Sequence, residues 1–391
     1  MIDENKSHKS GKMKKYRDPL YPKPILDRGY LIRSLKDHGI VVKDTHIDTF
    51  YQLLHRQQYP SLSEFVKEYY RMDEPSTGSA EDGEEEKKEV EKRQTLNKNP
   101  IGKRRRLRQL PKALLDFLSS LNNHNNNNKN SEFVTMTSKI ASQRTSKDGT
   151  TTKLAIELQD GHVVESVIMR HSNSRATLCV SSQVGCAMGC TFCATGTMGI
   201  RGNLCSGEIL EQLVHASLIL LHDNNNNKDT NEQRQQQQQQ QQKLIRNIVF
   251  MGMGEPLNNY KNVVEACRVM IDRKRWNLAH GHVTVSTVGV TPKMRQLTRD
   301  LPQINLALSL HAPNQKLRES IVPTAKQYPI QDMVQALHEH MILPSSSKHN
   351  NKQQQNNHKN VRNQMSQKRK RAMVEYVMCK YHTFIIVSLF R

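Results

Sequence analysis

Apolar residues recur at helical spacing in the first part of the chain. Between residues 25 and 71 they return every three or four positions, which is the spacing of one helix face. Ser61 or Ser63 is placed to cap the last of these helices. The basic run Lys103–Arg106 precedes a further short amphipathic helix. This basic helix is interpreted either as having a solvated face or as contacting RNA. The pattern predicts a helical accessory unit with a charged linker over residues 25–120.

The spacing changes to alternation after residue 131. Leu154, Ile156 and Leu158 alternate with other residues, Asp160-Gly161 then turns the chain, and a second apolar run follows. Alternation on both sides of an Asp-Gly turn is typical of a β-hairpin. A β-hairpin module is therefore predicted over residues 131–175.

From residue 176 short apolar runs alternate with amphipathic stretches. Strands that alternate with helices predict parallel strands joined by crossover helices, and hence an α/β fold whose ligands bind at the carboxyl ends of the strands. The predicted strands are Ala176–Ser181, Asn247–Met251, His282–Ser286, Ile304–Ser309 and Met373–Met378. The helices predicted between them are Ser206–His222, Asn262–Asp272, Lys293–Leu301 and Ile330–His340.

Polar tracts interrupt this pattern and affect how the net charge is interpreted. Residues 122–130, 224–242 and 345–370 are rich in Asn, Gln and Lys, and they are predicted to be loop insertions because they bury too little apolar surface to fold. The formal net charge of +21 favours a polyanionic partner, with RNA or DNA before a membrane. The alternative is solubility charge on the insertions.

The location of the protein is predicted from two absences. No apolar run reaches the length of a membrane span, and the first residues contain no apolar signal segment, which predicts a cytoplasmic protein with no membrane partner and leaves an organellar address open. The chain has 7 cysteines, an odd number, which indicates a reducing compartment rather than a disulfide framework.

Three of these cysteines form the most specific motif. Cys186, Cys190 and Cys193 have the spacing C-x3-C-x2-C. Three thiolates hold three irons of a [4Fe–4S] cluster and leave the fourth iron open to chelate S-adenosylmethionine (SAM). An electron from the cluster then cleaves SAM to a 5′-deoxyadenosyl radical, which is chemistry that the cofactors carry. The alternative is a zinc site, but zinc sites usually close with a fourth Cys or His.

The ends of other predicted strands carry polar groups. In Met251-Gly-Met-Gly254-Glu255-Pro, the glycines allow close approach of the backbone to a ligand, and Glu255 is placed to accept hydrogen bonds from an amine. The alternative for this segment is a tight turn. Two further strand ends carry Ser286 and the run Ser309-Leu-His311, whose histidine is either a structural residue or a ligand.

Together these segments resemble the radical-SAM RNA adenine-C2 methyltransferase family (RlmN/Cfr type). The resemblance is carried by the run Arg175–Cys193, the Gly-Met-Gly-Glu-Pro segment and Ser-Leu-His-Ala-Pro-Asn, and it covers most of residues 133–380 outside the insertions. It implies an incomplete radical-SAM (β/α)6-type partial barrel over residues 176–391. It also implies methylation of adenine C2 in large-subunit ribosomal RNA, in some members also transfer RNA, and an electron donor such as a flavodoxin or ferredoxin.

The resemblance also implies the roles of individual residues. Glu165 matches the residue that holds the target base, and Cys179 matches the helper thiol that assists release of the methylated base. The cluster ligands are Cys186, Cys190 and Cys193. The SAM contacts are Gly254, Glu255, Ser286, Ser309, Leu310 and His311. The family first methylates a cysteine near its C-terminus, and the radical formed on that methyl group adds to the adenine.

The last residues depart from the family pattern. Nothing after residue 379 resembles the family, which there has its last strand, a further SAM-contacting Asn and the methyl-carrying Cys. Cys379 is interpreted as incidental, and Cys205 and Cys267 as buried neutral thiols on helices. The chain is therefore expected to be a truncated member with impaired methyl transfer. The alternatives are a catalytically inactive RNA-binding iron–sulfur protein and another radical-SAM enzyme.

Overall fold

The computed structural model describes residues 21–73, 110–121, 132–171, 175–226, 245–342 and 372–376. Its contacts divide the chain into two units, one of Ile32–Ser131 and one of Met1–Leu31 with Glu132–Arg391. The basic run at 103–106, the insertions at 122–130 and 345–370, most of the insertion at 224–242, and Cys379 lie outside the described residues. The three domain boundaries expected from the sequence stay a prediction.

The smaller unit is helical. Its helices are α1 (Arg28–Asp37, which begins in the larger unit), α2 (Asp44–Arg56), α3 (Leu62–Asp73) and α4 (Lys112–Ser120). Phe50, Phe65 and Leu114 are fully buried in its core. Ser61 rather than Ser63 caps α3, because the Ser61 hydroxyl accepts from the backbone N–H of Glu64 at 3.3 Å while Glu64 accepts from the backbone N–H of Ser61 at 3.0 Å. The helical prediction is confirmed.

The larger unit is built on a mixed sheet of eight strands in the order β12-β11-β10-β9-β6-β5-β4-β3. The strands from β6 to β12 in this sheet are parallel neighbours, whereas β3, β4, β5 and β6 pair antiparallel. The strands of the unit are β1 (Lys23–Pro24), β2 (Phe133–Val134), β3 (Lys139–Thr145), β4 (Thr151–Glu157), β5 (Val163–His171), β6 (Arg175–Cys179), β7 (Gln183–Gly185), β8 (Ile200–Asn203), β9 (Ile245–Phe250), β10 (Val283–Thr287), β11 (Asn305–Ser309) and β12 (Met373–Glu375). The predicted β-hairpin and the five predicted parallel strands are both confirmed.

Helices connect the parallel strands and cover one face of the sheet. Leu178, Ile248, Val285 and Leu306 share this face by register and are fully buried. The helices are α5 (Ala194–Thr197), α6 (Ser206–Asn226), α7 (Tyr260–Ile271), α8 (Thr291–Asp300), α9 (Gln315–Ile321) and α10 (Ile330–Ile342), with short 3-10 turns at Pro256–Asn259, His280–His282 and Pro323–Gln327. No helix in the described ranges is long and apolar enough to cross a bilayer.

Cys205 does not lie within a helix as the sequence predicted. It immediately precedes α6, where its sulfur accepts from the backbone N–H of Glu208 at 3.5 Å and its own N–H donates to the Glu208 carboxylate at 2.9 Å. The first N–H groups of a helix have no partner within the helix, so a polarisable side chain before the first turn serves as a cap. Cys267 lies within α7 and is fully buried, as predicted.

Candidate cluster and cofactor site

A small hairpin carries the three motif cysteines. β7 and β8 pair antiparallel, and the cysteine loop lies between them. A Cβ on Gly185 would lie 1.9 Å from the carbonyl oxygen of Gly199, and Gly185 has a φ of +74°, so the closure of this hairpin requires glycine. The backbone N–H of Cys186 then donates to the same carbonyl at 3.1 Å. These two strands were not predicted from the sequence, because neither is long enough to show alternation.

The three thiols are gathered in one partly buried cluster. Cys186 and Cys190 are buried and Cys193 is half-buried. Burial raises the pKa of Cys186 and of Cys190 to about 11, and repulsion from neighbouring thiolates and from Glu255 adds to the rise. Metal ligation requires thiolates, so iron must displace a proton from each thiol. These cysteines are free of disulfides.

The three thiols are not arranged to bind a single metal ion. Among the residues that the structure describes, no three His, Cys, Asp or Glu side chains converge closely enough to hold a single metal ion. A [4Fe–4S] cluster does not need that convergence, because each of its thiolates binds a different iron. The donor set of three neighbouring thiols with no fourth Cys or His in the motif fits such a cluster.

Glu255 lies beside the thiols at the end of β9. Its side chain is 3% exposed, and both carboxylate oxygens accept backbone N–H groups, from Leu257 at 3.0 Å and from Val288 at 2.9 Å. Burial raises the pKa of Glu255, whereas these hydrogen bonds lower it. The carboxylate is thus fixed between two loops at the carboxyl end of the sheet, within electrostatic reach of Cys186 and Cys190.

The glycines before Glu255 allow two segments of the chain to pack closely, and their predicted approach to a ligand stays a prediction. A Cβ on Gly254 would lie 2.4 Å from the Cβ of Gln183, and one on Gly252 would lie 2.8 Å from the carbonyl oxygen of Val180. Met253 lies between them and accepts backbone N–H groups from Ser182 and Gln183. The close approach is therefore to the protein's own chain, and it fastens Glu255 to the segment that leads into the cysteine loop.

Ser286 and Ser309 meet at the ends of β10 and β11. Their hydroxyls lie 2.9 Å apart, and both also reach the carboxylate of Glu375 on β12, at 3.3 Å from Ser286 and 2.9 Å from Ser309. Burial raises the pKa of Glu375, whereas the two hydroxyls lower it. Glu375 was not predicted as a site residue, although its position in the last predicted strand was the available signal.

Leu310 and His311 continue from β11 past the same carboxylate residue. Their backbone N–H groups donate to the carbonyl of Glu375 at 3.1 and 3.0 Å. His311 has a φ of +61°, and its ring packs edge-on against Phe192 of the cysteine loop with centroids 4.6 Å apart. Burial, and then the charge of Arg318, lowers the pKa of His311 to about 4, so the ring is neutral at neutral pH.

Glu165 and Cys179 share one face of the sheet. Val167 on β5 pairs with Cys179 on β6, and Glu165 lies two residues before Val167, on the same side of its strand. The Glu165 side chain is 48% exposed and forms an ion pair with Lys153 at 2.5 Å. Burial raises the pKa of Cys179 to about 11, and the charge of Glu375 adds to the rise. The face opposite the helices therefore carries Cys179 within electrostatic reach of Glu375.

The predicted residues thus fall into two neighbouring groups. One group is the cysteine loop with Glu255, beyond the carboxyl ends of the strands. The other is the face of the sheet opposite the helices, where Glu165, Cys179, Ser286 and Ser309 lie in register. A buried arginine, Arg318 on α9, lies beside the cysteine loop, and nothing in the sequence pattern singled it out.

The class of protein follows from the comparison with known families. Residues 180–350 match the family model of the Radical SAM superfamily. The match begins just after β6 and includes the cysteine loop, Glu255, Ser286, Ser309 and Arg318.

Two curated relatives show which kind of radical SAM protein the chain resembles. The chain is 41% identical over 197 residues to a ribosomal RNA large subunit methyltransferase N from Nitrosopumilus maritimus, covering 49% of this chain and 51% of the relative. It is 43% identical over 192 residues to a dual-specificity RNA methyltransferase RlmN from Pelobacter propionicus, covering 49% of this chain and 48% of the relative. The resemblance to the RlmN type is confirmed. The chain spans about half the length of the curated relatives it matches.

A solved structure has the same fold. The crystal structure of a radical SAM methyltransferase from Sphaerobacter thermophilus superimposes with a TM-score of 0.55 at 27% identity, covering 82% of this chain and 73% of the other. The α/β fold of this chain is therefore similar to that of a radical SAM methyltransferase.

Proposed function

We propose that this chain is a radical SAM RNA methyltransferase that acts on C2 of adenine in large-subunit ribosomal RNA and in transfer RNA. The observation that carries the proposal is the adjacency of two groups, the cysteine loop with Glu255 and the sheet face opposite the helices with Glu165 and Cys179. One end of the sheet offers ligands for a cluster and SAM, and the adjoining face offers a carboxylate and a thiol for a base. In this proposal the parallel strands are part of a (β/α)6-type partial barrel.

In this proposal Cys186, Cys190 and Cys193 would hold a [4Fe–4S] cluster, next to which SAM would bind. With an electron from a flavodoxin- or ferredoxin-type donor, the bound cofactors supply a carbon-centred radical. The residues of the chain orient these cofactors and exclude water from them. Glu255, fixed by two backbone N–H groups, accepts from the SAM amino group.

The polar groups of the sheet face bind the other end of SAM and the base. Ser286, Ser309, Leu310 and His311 contact SAM in this proposal, with the serine hydroxyls oriented by Glu375. Glu165 is exposed enough to meet an extruded adenine. Cys179, whose raised pKa keeps it protonated at neutral pH, holds a proton at its sulfur until the release of the methylated base.

An RNA partner is supported by basic residues at the amino ends of the strands. A cavity of about 390 Å³ is lined there by Arg246, Arg273, His280 and His282. Arg246 Nε is buried without a hydrogen-bond partner among the described residues. Phosphate oxygens are the usual partners of such arginines in nucleic-acid complexes. This cavity would fix the RNA backbone while a base reaches the opposite end of the sheet.

The test is anaerobic reconstitution with iron and sulfide, followed by SAM cleavage and methylation of ribosomal RNA fragments. We expect one [4Fe–4S] cluster per chain, SAM-dependent perturbation of its EPR signal, and loss of the cluster in Cys190→Ser. The matched control is Cys267→Ser, a buried thiol within α7. A protein that binds one zinc and no iron would contradict the proposal.

The same assay separates the alternatives. The predicted impairment of methyl transfer in this chain stays a prediction, as does a cytoplasmic location. A cluster without SAM cleavage would favour an inactive RNA-binding iron–sulfur protein. SAM cleavage that leaves every RNA unmethylated, even when a family C-terminus is added to the chain, would favour another radical-SAM enzyme.

A further inference from the structure

Arg318 is the largest fully buried side chain in the described part of the protein, with 1% exposure. It lies on α9 and reaches back to the strand ends. Its Nε donates to the carbonyl of Leu310 at 3.1 Å, and its Nη2 donates to the carbonyl of Val288. Leu310 is itself a proposed SAM contact, and the backbone N–H of Val288 donates to the carboxylate of Glu255, which is another. The guanidinium is therefore held rigidly at the carboxyl end of the sheet.

The third nitrogen of this guanidinium is unsatisfied. Nη1 is buried and has no hydrogen-bond partner among the described residues. The neighbours that could compensate the charge are limited. His311 is neutral at neutral pH and supplies no counter-charge. A buried cation without a carboxylate partner is energetically unfavourable, so its position calls for a counter-charge.

The segment after Arg318 also holds the cysteine loop in place. Ile321 accepts a hydrogen bond from the backbone N–H of Thr191 at 2.9 Å. Val322 and Ala325 form one buried apolar cluster with Cys186, Met188 and Cys190. The cation and the cysteine loop are thus connected through four residues of chain, which leaves little freedom in their separation.

We propose that Arg318 is the counter-charge of the iron–sulfur cluster, with its unpaired Nη1 as the available donor, and that it favours the reduced form. The inference rests on the proposed cluster. The negative charge of three thiolates exceeds the positive charge of the oxidised cluster core, so the ligated cluster is negative. One-electron reduction adds a further negative charge. A fixed cation with a free donor stabilises the more negative state, and hydrogen bonds and net charge are established determinants of cluster potentials. Arg318 is a positioning residue in this role.

The experiment is an EPR-monitored redox titration of the reconstituted protein with three variants. Arg318→Gln removes the charge, and Arg318→Lys keeps it. Arg295→Gln is the matched control, since Arg295 on α8 is a half-exposed arginine paired with Asp332 and Glu339 away from the cysteine loop. We expect the ratio of reduced to oxidised cluster at a fixed potential to fall about tenfold in Arg318→Gln, which is about 59 mV for one electron. It should stay within about twofold of wild type in the other two.

The outcomes distinguish this inference from the proposed function. Absence of a cluster in the wild-type chain would overturn the proposed function itself. A cluster of unchanged potential in Arg318→Gln would overturn the inference alone. If Arg318→Gln binds no iron, retention of the cluster by Arg318→Lys supports a charge role. Loss of iron from both variants would overturn the inference, because the role would then be that of the two carbonyl contacts.

Discussion

The hydroxyl of Ser309 donates a hydrogen bond of 2.9 Å to the carboxylate of Glu375, and so joins the ends of β11 and β12. The same carboxylate accepts from Ser286 at 3.3 Å, across 89 residues of sequence. Two hydroxyls that donate to one carboxylate present their lone pairs in a fixed direction. This makes Glu375 the orienting group for two residues of the proposed SAM site.

We expect Glu375→Gln to weaken SAM binding about tenfold, the worth of roughly one hydrogen bond. The amide offers one acceptor instead of two, and its NH2 group competes with the serine hydroxyls as a donor. Calorimetry of SAM binding to the reconstituted protein is the measurement. The control is Glu339→Gln on α10, whose partner is Arg295. An unchanged affinity in a folded Glu375→Gln variant would show that the serines do not need this orientation.

A second buried carboxylate makes stability depend on pH. Glu211 on α6 accepts the backbone N–H groups of Thr137 and Ser138 at 2.8 and 2.9 Å, together with both hydroxyls. Burial nevertheless raises its pKa from 4.5 to about 7. The native state therefore binds the proton more tightly than the unfolded chain does. The stability from this protonation is complete below about pH 4.5 and is lost as pH rises through 7.

We expect the free energy of unfolding of the wild type, relative to Glu211→Gln, to decrease between pH 4.5 and pH 7.5 by at most about 3 kcal/mol, given 1.36 kcal/mol per pKa unit. Glutamine does not titrate, so the difference isolates this one group from the other acids. Urea denaturation of both proteins across that range is the measurement. A difference that is constant with pH, or that increases, contradicts the assignment.

The contact between Gly254 and Gln183 predicts a steric effect. Gly254 has a φ of +97°, and an added Cβ would lie 2.4 Å from the Cβ of Gln183. We expect Gly254→Ala to destabilise the protein by about 2 kcal/mol or more, since backbone strain and overpacking add. Thermal unfolding is the measurement. Gly281→Ala is the control, because an added Cβ there meets nothing within 4 Å. Equal melting temperatures for the two variants would refute the packing argument.

The basic cavity predicts a salt-dependent effect on RNA. We expect Arg246→Gln and Arg273→Gln each to weaken binding of ribosomal RNA fragments and to reduce the salt dependence of the affinity by about one phosphate contact. Lys147→Gln, on the exposed turn between β3 and β4, removes one charge elsewhere and is the control. Filter binding at several salt concentrations is the measurement. Equal losses in all three variants would indicate net charge rather than a site at the cavity.

Local pattern was sufficient for the secondary structure and for the cysteine motif. The five parallel strands and the hairpin around Asp160-Gly161 were predicted, because alternation and turn chemistry are properties of neighbouring residues. The motif of Cys186, Cys190 and Cys193 was readable because ligands for one cluster lie on one loop. The helix cap at Cys205 was missed, because cysteine is not among the residues that usually cap.

The sequence by itself thus determined the class of fold and the identity of the candidate ligands, since both depend on the spacing of residues that are close in sequence. Only the tertiary structure decided which distant groups meet. Glu375 joins Ser286 and Ser309 because three parallel strands end in register, and Arg318 reaches Leu310 and Val288 because α9 turns back over the strand ends. Contacts of this kind depend on register and on crossover connections, which no local pattern contains. For this reason only the folded structure shows which charged residues lie near the cysteine loop.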